Sequence, residues 1–299
     1  MILVAGGTGT LGTQVVRRLT DRGLDVRVLT RDPARASHLN GSQVEVMMGD
    51  ANDPDTLRRA VADAQTVISA MHGFAGQDAG GPQAVDRDGN KNLIKAAVAS
   101  GVDHVILMSI HGATPDHPLE LYRMKASAER ELRASLLAWT ILRPTAYMET
   151  WARLIGEPVI KSGQTRVFGR GRNPINFVSA HDVARFVELA TVDPALRGMM
   201  VEIGGPENLS MEDVVETFRA ATGKTGKTKH VPLPMMRVMS VLMRPVKPAL
   251  ASQIQAGVIM DTADLSFDPA ETRRLYHSIP QTTLKEVIQR DYGDQLPMS

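Results

Sequence analysis

The chain has 299 residues, 43% of them hydrophobic and 22% charged, with 34 Lys and Arg against 33 Asp and Glu. These proportions suit one large or two ordinary globular domains and exclude a disordered chain, a collagen-like fibre and a coiled coil. A net charge of +1 leaves no chain-wide field for nucleic acid, and zero cysteines exclude disulfides, thiolate metal sites and cysteine nucleophiles.

The opening MILVAGG has no basic leader, and no stretch approaches the ~20 apolar residues of a spanning helix, so a cytoplasmic protein is expected. Ile2 to Ala5 is a short apolar run stopped by glycine, the pattern of a strand buried on both faces. Leu11 to Arg22 repeats Val15, Val16 and Leu19 at helical spacing and ends at Gly23. Strands are predicted at Asp25–Thr30, Val44–Met48, Gln65–Ala70, His104–Ser109 and Trp139–Arg143, and helices over 83–100 and 120–135. Strand–helix alternation at this spacing implies parallel crossovers, and therefore an α/β doubly wound sheet with its crevice at the carboxyl ends of the strands. Beyond 145 the pattern loosens. Asn176–Val178, a helix over Ala180–Ala190 and a strand at Met200–Ile203 are expected to return to the core, and Leu209–Thr222 reads as a helix capped by Ser210. The expected division is a Rossmann-type core over 1–150 and a smaller substrate-binding or lid region over 151–299, with about 176–205 rejoining the core.

Gly6-Gly7-Thr8-Gly9-Thr10-Leu11-Gly12 joins the first strand to the first helix. In that context the glycines make a tight turn, let the backbone approach a pyrophosphate, and let helix and strand pack closely. The N–H groups of Thr8 to Gly12 and the positive helix end would hold the anion. The second strand ends Leu29-Thr30-Arg31-Asp32-Pro33. Arg31 stands where an arginine pairs with a 2′-phosphate, which favours NADP over NAD; the alternative is that Asp32 binds a ribose hydroxyl and Arg31 is a solvated charge. Asp50, beside Ala51 at the end of the third strand, is either an acceptor for the adenine amino group or a helix N-cap or turn residue. Ala70 and Met71 end the fourth strand, where small residues let the backbone pass near a cofactor.

The glycine loop, TRDP, GDANDPDTL, GNKNLIKAAVASGV, WTILRP, NFVSAHDVARFVELA and VEIGGPE together resemble the atypical short-chain dehydrogenase/reductases, and within them the NmrA-like NAD(P)-binding branch, over about residues 1 to 205. The resemblance implies a Rossmann core with the carboxyl-terminal half over the nicotinamide. It places Ser109, Lys125 and the Pro144-Thr145 backbone on the nicotinamide side. The active enzymes resembled use Tyr-x-x-x-Lys plus a serine at a strand end: the tyrosine moves the proton, the lysine lowers its pKa and holds ribose, and the serine orients the carbonyl. Here Leu121 stands four before Lys125, and Tyr122 only three before it. Tyr122 keeps roughly the same helix face but is rotated by about 100°. Ser109, Tyr122 and Lys125 are the expected catalytic set, and His111, just after Ser109, is a second candidate acid. No His, Asp or Glu set has metal-site spacing, so no metal is expected.

Met235, Met236, Met239, Leu242 and Met243 repeat at three and four. Three readings stay open for them: an adaptable wall for an apolar substrate, core packing, or a partner or membrane-surface helix flanked by Arg237, Arg244 and Lys247. The expected function is an NADPH-dependent oxidoreductase passing hydride to a small apolar carbonyl, enone or quinone. The alternative is a non-catalytic NAD(P)-binding regulator or assembly factor of the NmrA-like type.

Overall fold

The computed structural model describes residues 1–39, 41–74 and 80–297. In chain order the first half runs β1 (Ile2–Ala5), α1 (Thr10–Asp21), β2 (Val26–Thr30), β3 (Val44–Met48), α2 (Pro54–Ala60), β4 (Thr66–Ser69), α3 (Asn90–Ala99), β5 (His104–Met108), α4 (Glu120–Arg133) and β6 (Ala138–Pro144). There follow β7 (Ala146–Tyr147), α5 (Met148–Trp151), α6 (Glu157–Ser162), β8 (Thr165–Phe168), β9 (Ile175–Val178), α7 (Ala180–Val192), β10 (Met199–Ile203) and β11 (Glu207–Leu209). The chain closes with α8 (Met211–Thr222), β12 (Thr228–Val231), α9 (Leu233–Met243), α10 (Pro248–Thr262), α11 (Ala270–Leu275) and α12 (Leu284–Tyr292). Two compact units emerge: Met1–Pro144 with Val183–Glu202, and Thr145–Asp182 with Ile203–Ser299.

The first unit is built on a seven-stranded sheet in the order β10-β6-β5-β4-β1-β2-β3. β1 pairs in parallel with both β2 and β4, and β4–β5, β5–β6 and β2–β3 are parallel as well. The order reverses between β1 and β4, which opens a crevice at their carboxyl ends. Every residue of β1 and β5 is buried, as a sheet covered on both faces requires. Leu3, Leu29, Leu57, Val67, Leu93, Val105, Leu107 and Ile141 form one continuous core. α1 turns Leu11, Val15, Val16 and Leu19 to that sheet, and the N–H groups of Gly23 and Leu24 close its last turn on the Thr20 and Leu19 carbonyls.

The helix expected over 83–100 is two structures. Gln83–Gly89 is a π-helical segment, and only Asn90–Ala99 is α-helical. The wider turn puts Asp86 completely inside the protein, where its Oδ2 accepts the Gly73 N–H at 2.9 Å. π-segments of this kind mark functional regions.

The second unit holds a three-stranded sheet, β11-β9-β7, and the parallel pair β12–β8. Its core joins Met148, Ile155, Val159, Phe177, Val214, Phe218, Leu284 and Val287. Ser210 caps α8 and shares a capping box with Asp213. Among the described residues, no helix is long and apolar enough to cross a membrane.

Candidate functional site

The turn between β1 and α1 is shaped by contacts that exclude side chains. Gly6 has φ +86°, and a Cβ there would stand 2.7 Å from the Ala70 carbonyl oxygen; a Cβ on Gly12 would stand 2.2 Å from the Gly6 oxygen. Packing alone therefore explains those two glycines. Gly9 is different: the nearest atom to a Cβ built on it is 3.5 Å away. The protein has room for a side chain there and carries none. Gly9 is also the N-cap of α1, with no side-chain cap and no acidic residue in the first turn. The leading N–H groups of Thr10, Leu11 and Gly12 thus have no partner within the helix, and they lie at its positive end. These residues fit a dinucleotide pyrophosphate, which needs both the bare backbone and the donors.

At the end of β2, the Thr8 and Thr30 hydroxyls meet at 3.3 Å. Arg31 is exposed beside them. Asp32 turns one carboxylate oxygen to the Ala34 N–H at 3.0 Å, so it begins the Pro33–Leu39 3-10 turn. That turn brings Arg35 back to donate to the Thr8 carbonyl at 3.5 Å. Sequence reasoning did not single out Arg35; its one signal was the position four after Arg31. Asp50 Oδ1 accepts from both the backbone and side-chain amides of Asn52, at 2.8 and 3.1 Å, the contacts of a turn. Asp53, not Asp50, caps α2. Ala51 lends its carbonyl to Asn92 at 3.3 Å. Ala70 lies directly under the glycine turn, and its N–H bonds the Ala5 carbonyl at 2.8 Å.

Beneath the ends of β4, β5 and β6 lies a set of charges, of which Lys125, Asp86 and Glu129 are buried. Lys125 and Glu129, one helical turn apart, both face inward from α4 among Leu121, Ala128 and Leu132. The Lys125 Nζ donates to the carbonyls of Met71 (3.0 Å) and Met108 (2.8 Å), and it stands 2.9 Å from Asp86 Oδ1. The ammonium is thereby enclosed by three acceptors, and contact with a ribose requires it to leave one of them. Glu129 accepts from the Ser109 hydroxyl and, in a fork, from Arg143 Nε (2.8 Å) and NH2 (2.5 Å). Arg143 also donates to Glu202 Oε1 at 3.0 Å, and Glu202 Oε2 lies 2.7 Å from His111 Nδ1. Burial pulls the Glu202 carboxyl upward, but the bonds from His111 and Arg143 outweigh it and hold the group below the usual carboxylate range. The His111 N–H of the backbone bonds the Pro144 carbonyl at 2.9 Å, which ties the β5 and β6 ends together.

Tyr122 takes no part in this network. Its ring stacks on His117 with centroids 3.9 Å apart and planes 14° from parallel. Burial pushes its hydroxyl up, away from ready proton exchange. Among the described residues, no hydrogen bond joins Ser109, Tyr122 and Lys125 to one another. The rotation by one residue explains this: Lys125 sits on the inward face of α4, and Tyr122 lies on its flank.

The sequence pattern of the NAD(P)H-binding family runs through residues 6–194, well over half of the chain. The chain belongs to this family. An NAD(P)H azoreductase from Xenophilus azovorans is 30% identical over 225 residues, 75% of this chain and 74% of that protein. The photosystem II assembly factor Ycf39 of Synechocystis is 27% identical and aligns over 98% of this chain and 90% of its own length. The crystal structure of the NADPH-dependent quinone oxidoreductase QOR2 from Escherichia coli, complexed with NADPH, superposes with a TM-score of 0.77 at 21% identity, covering 98% of this chain and all of that one. The NAD(P)H-binding family accounts for the glycine turn. The polar chain Ser109–Glu129–Arg143–Glu202–His111 was not legible in this NAD(P)H-binding sequence, because its bonded partners lie as far as 91 residues apart. One trace was there: two charged residues, Lys125 and Glu129, sit inside the apolar stripe of α4, where charges need partners.

Proposed function

We propose that this protein is an NADPH-dependent reductase that delivers hydride to a small apolar carbonyl, enone or quinone, with His111 as the proton donor. The azoreductase and quinone oxidoreductase likenesses support the reductase class. The observation that carries the catalytic part is the half-exposed His111 ring, held on Nδ1 by a carboxylate that Arg143 keeps ionised, at the carboxyl edge of the sheet.

The cofactor's backbone contacts are assigned to Gly6, Thr8, Gly9, Thr10, Leu11 and Gly12, with Ala51, Ala70 and Met71 along its course and Pro144 at its far end. Arg35 reaches the Thr8 carbonyl and Arg31 directly follows Thr30, and two cations at this strand end favour the 2′-phosphate of NADPH. Bound at this turn, the nicotinamide supplies a hydride. Glu202 holds the His111 imidazole by Nδ1 and so orients it, leaving the Nε2 side to give a proton to the acceptor's oxygen or nitrogen as the hydride arrives. Ser109 lies buried on Glu129, and its part is to hold the strand end with that carboxylate. Lys125 fixes the exits of β4 and β5 through the Met71 and Met108 carbonyls, as a positioning residue. Tyr122 as proton donor is the weaker assignment, because the neighbouring ammonium that would lower its pKa is already neutralised by Asp86.

The test is NADPH oxidation with a panel of quinones and enones. His111→Gln is expected to lower kcat about a hundredfold while nucleotide affinity stays unchanged. Arg31→Ala should weaken NADPH by about 2 kcal/mol, roughly thirtyfold, and NADH hardly at all. Equal loss for both nucleotides would overturn the 2′-phosphate assignment. The Ycf39 likeness, which extends over nearly the whole chain, favours one second reading, a dinucleotide-binding assembly factor. Tight NADPH binding with no turnover across the panel would establish that reading instead.

A further inference from the structure

α9 is apolar over most of its circumference, Arg237 and Ser240 excepted, and only one line of it is covered. Leu233, Met236, Ser240 and Met243 face inward, and Met236 is buried where Gly257 of α10 leaves room: a Cβ there would stand 2.8 Å from the Met236 Cε. The remaining stripe, Met235, Val238, Met239 and Leu242, falls at i, i+3, i+4 and i+7 and lies exposed. Val241 beside it is 70% exposed, Leu242 61% and Val246 72%. A helix apolar over so much of its circumference is ordinarily buried, and a contiguous exposed patch of aliphatic side chains marks a surface that something covers.

Charge says what covers it. Residues 223–260 contain Lys224, Lys227, Lys229, Arg237, Arg244 and Lys247 and not one acidic residue, although the whole chain carries 33. The rest of the chain therefore holds 28 cations against those 33 acids. Arg237, Arg244 and Lys247 are exposed and border the apolar stripe. A second copy of the chain would bring this acid-free segment against its own like charges. A protein partner is usually gripped by aromatic anchors in pockets, and α9 is a convex face without an aromatic residue. An anionic lipid surface suits both features: aliphatic side chains enter the headgroup boundary, and the flanking cations meet the lipid phosphates.

We infer that α9 is a peripheral docking surface for anionic membranes, placed in the plane of the bilayer by its exposed Met, Val and Leu stripe and held by Arg237, Arg244 and Lys247. The inference is independent of the reductase reading, since none of these residues belongs to the proposed active site. Docking would bring the protein to the phase where apolar acceptors dissolve.

Co-sedimentation of the full chain with vesicles tests it, using phosphatidylcholine alone or with about one third phosphatidylglycerol. Sedimentation is expected with the anionic vesicles only, and it should fall as salt is raised. Replacing Arg237, Arg244 and Lys247 by Gln should weaken partitioning about fivefold per cation. Val241→Asp with Leu242→Asp should abolish it. Both positions are already solvent-exposed, so the fold is expected to persist, and circular dichroism and NADPH uptake equal to the parent would verify that. The inference is overturned if the protein ignores anionic vesicles, binds neutral ones equally, or binds regardless of these substitutions. It is overturned too if the parent is a dimer that Val241→Asp with Leu242→Asp converts to monomers, or if the patch captures an acidic protein but no vesicle.

Discussion

At the scale of single residues, Gly9 separates folding from binding. A methyl group there meets nothing closer than 3.5 Å, so Gly9→Ala should unfold at the parent's denaturant midpoint. On the binding mode proposed above, its NADPH affinity should nevertheless fall tenfold or more, about 1.4 kcal/mol, because the methyl would stand where the pyrophosphate is assigned. Titration calorimetry reads that loss. His104 offers a pH test. It is buried, and its Nε2 lies 2.9 Å from the Thr140 hydroxyl, which itself donates to the Leu196 carbonyl at 2.7 Å. The hydroxyl proton is thus engaged, so Nε2 carries the imidazole hydrogen. Burial, with help from the Arg197 charge, lowers the imidazole from 6.5 to about 4. Between those values the unfolded chain binds the proton and the folded one does not. The stability from His104 is therefore complete above pH 6.5 and is lost as pH falls toward 4, on the order of 3 kcal/mol. Urea midpoints measured across that window should fall less steeply in His104→Gln than in the parent.

At the scale of elements, the buried pair Lys125–Asp86 holds α4 to the π-helical segment and to the exits of β4 and β5. Lys125→Met leaves the enclosed Asp86 without its cation, which should cost ~3 kcal/mol or more, read by chemical denaturation. Adding Asp86→Asn should recover part of that loss. The strands of the first half were legible within a residue or so because a parallel sheet covered on both faces needs uninterrupted apolar runs, as in β1 and β5. The π-segment was not legible, since one extra residue per turn leaves the apolar spacing of 83–100 almost unchanged. β7, β8 and β12 are two to four residues long and exist through their partners, so they leave no periodicity to find. α12 did leave a mark that went unread: Thr283 and Glu286 form its capping box.

At the scale of the whole molecule, the first unit is discontinuous in sequence. A fragment ending at residue 150 would lack α7 and β10. Arg18 and Arg22 of α1 would lose Glu188, Arg143 would lose Glu202, and Thr140 and Trp139 would lose their bonds to Leu196 and Gly198. Such a fragment is expected to give no native near-ultraviolet dichroism, whereas the full chain unfolds cooperatively.

The sequence by itself determined the parallel sheet, the glycine turn and the basic end of β2, because each is dictated by residues adjacent along the chain: an apolar run, a glycine spacing, an arginine directly after a strand. It also carried the acid-free, apolar stretch around α9. Only the tertiary structure decided the fate of the ionisable residues. Which carboxylate neutralises Lys125, which fork holds Glu129 and which acid grips His111 depend on strands and helices dozens of residues apart meeting in space. Buried charge is stable only beside a partner, and local sequence does not say where that partner will be.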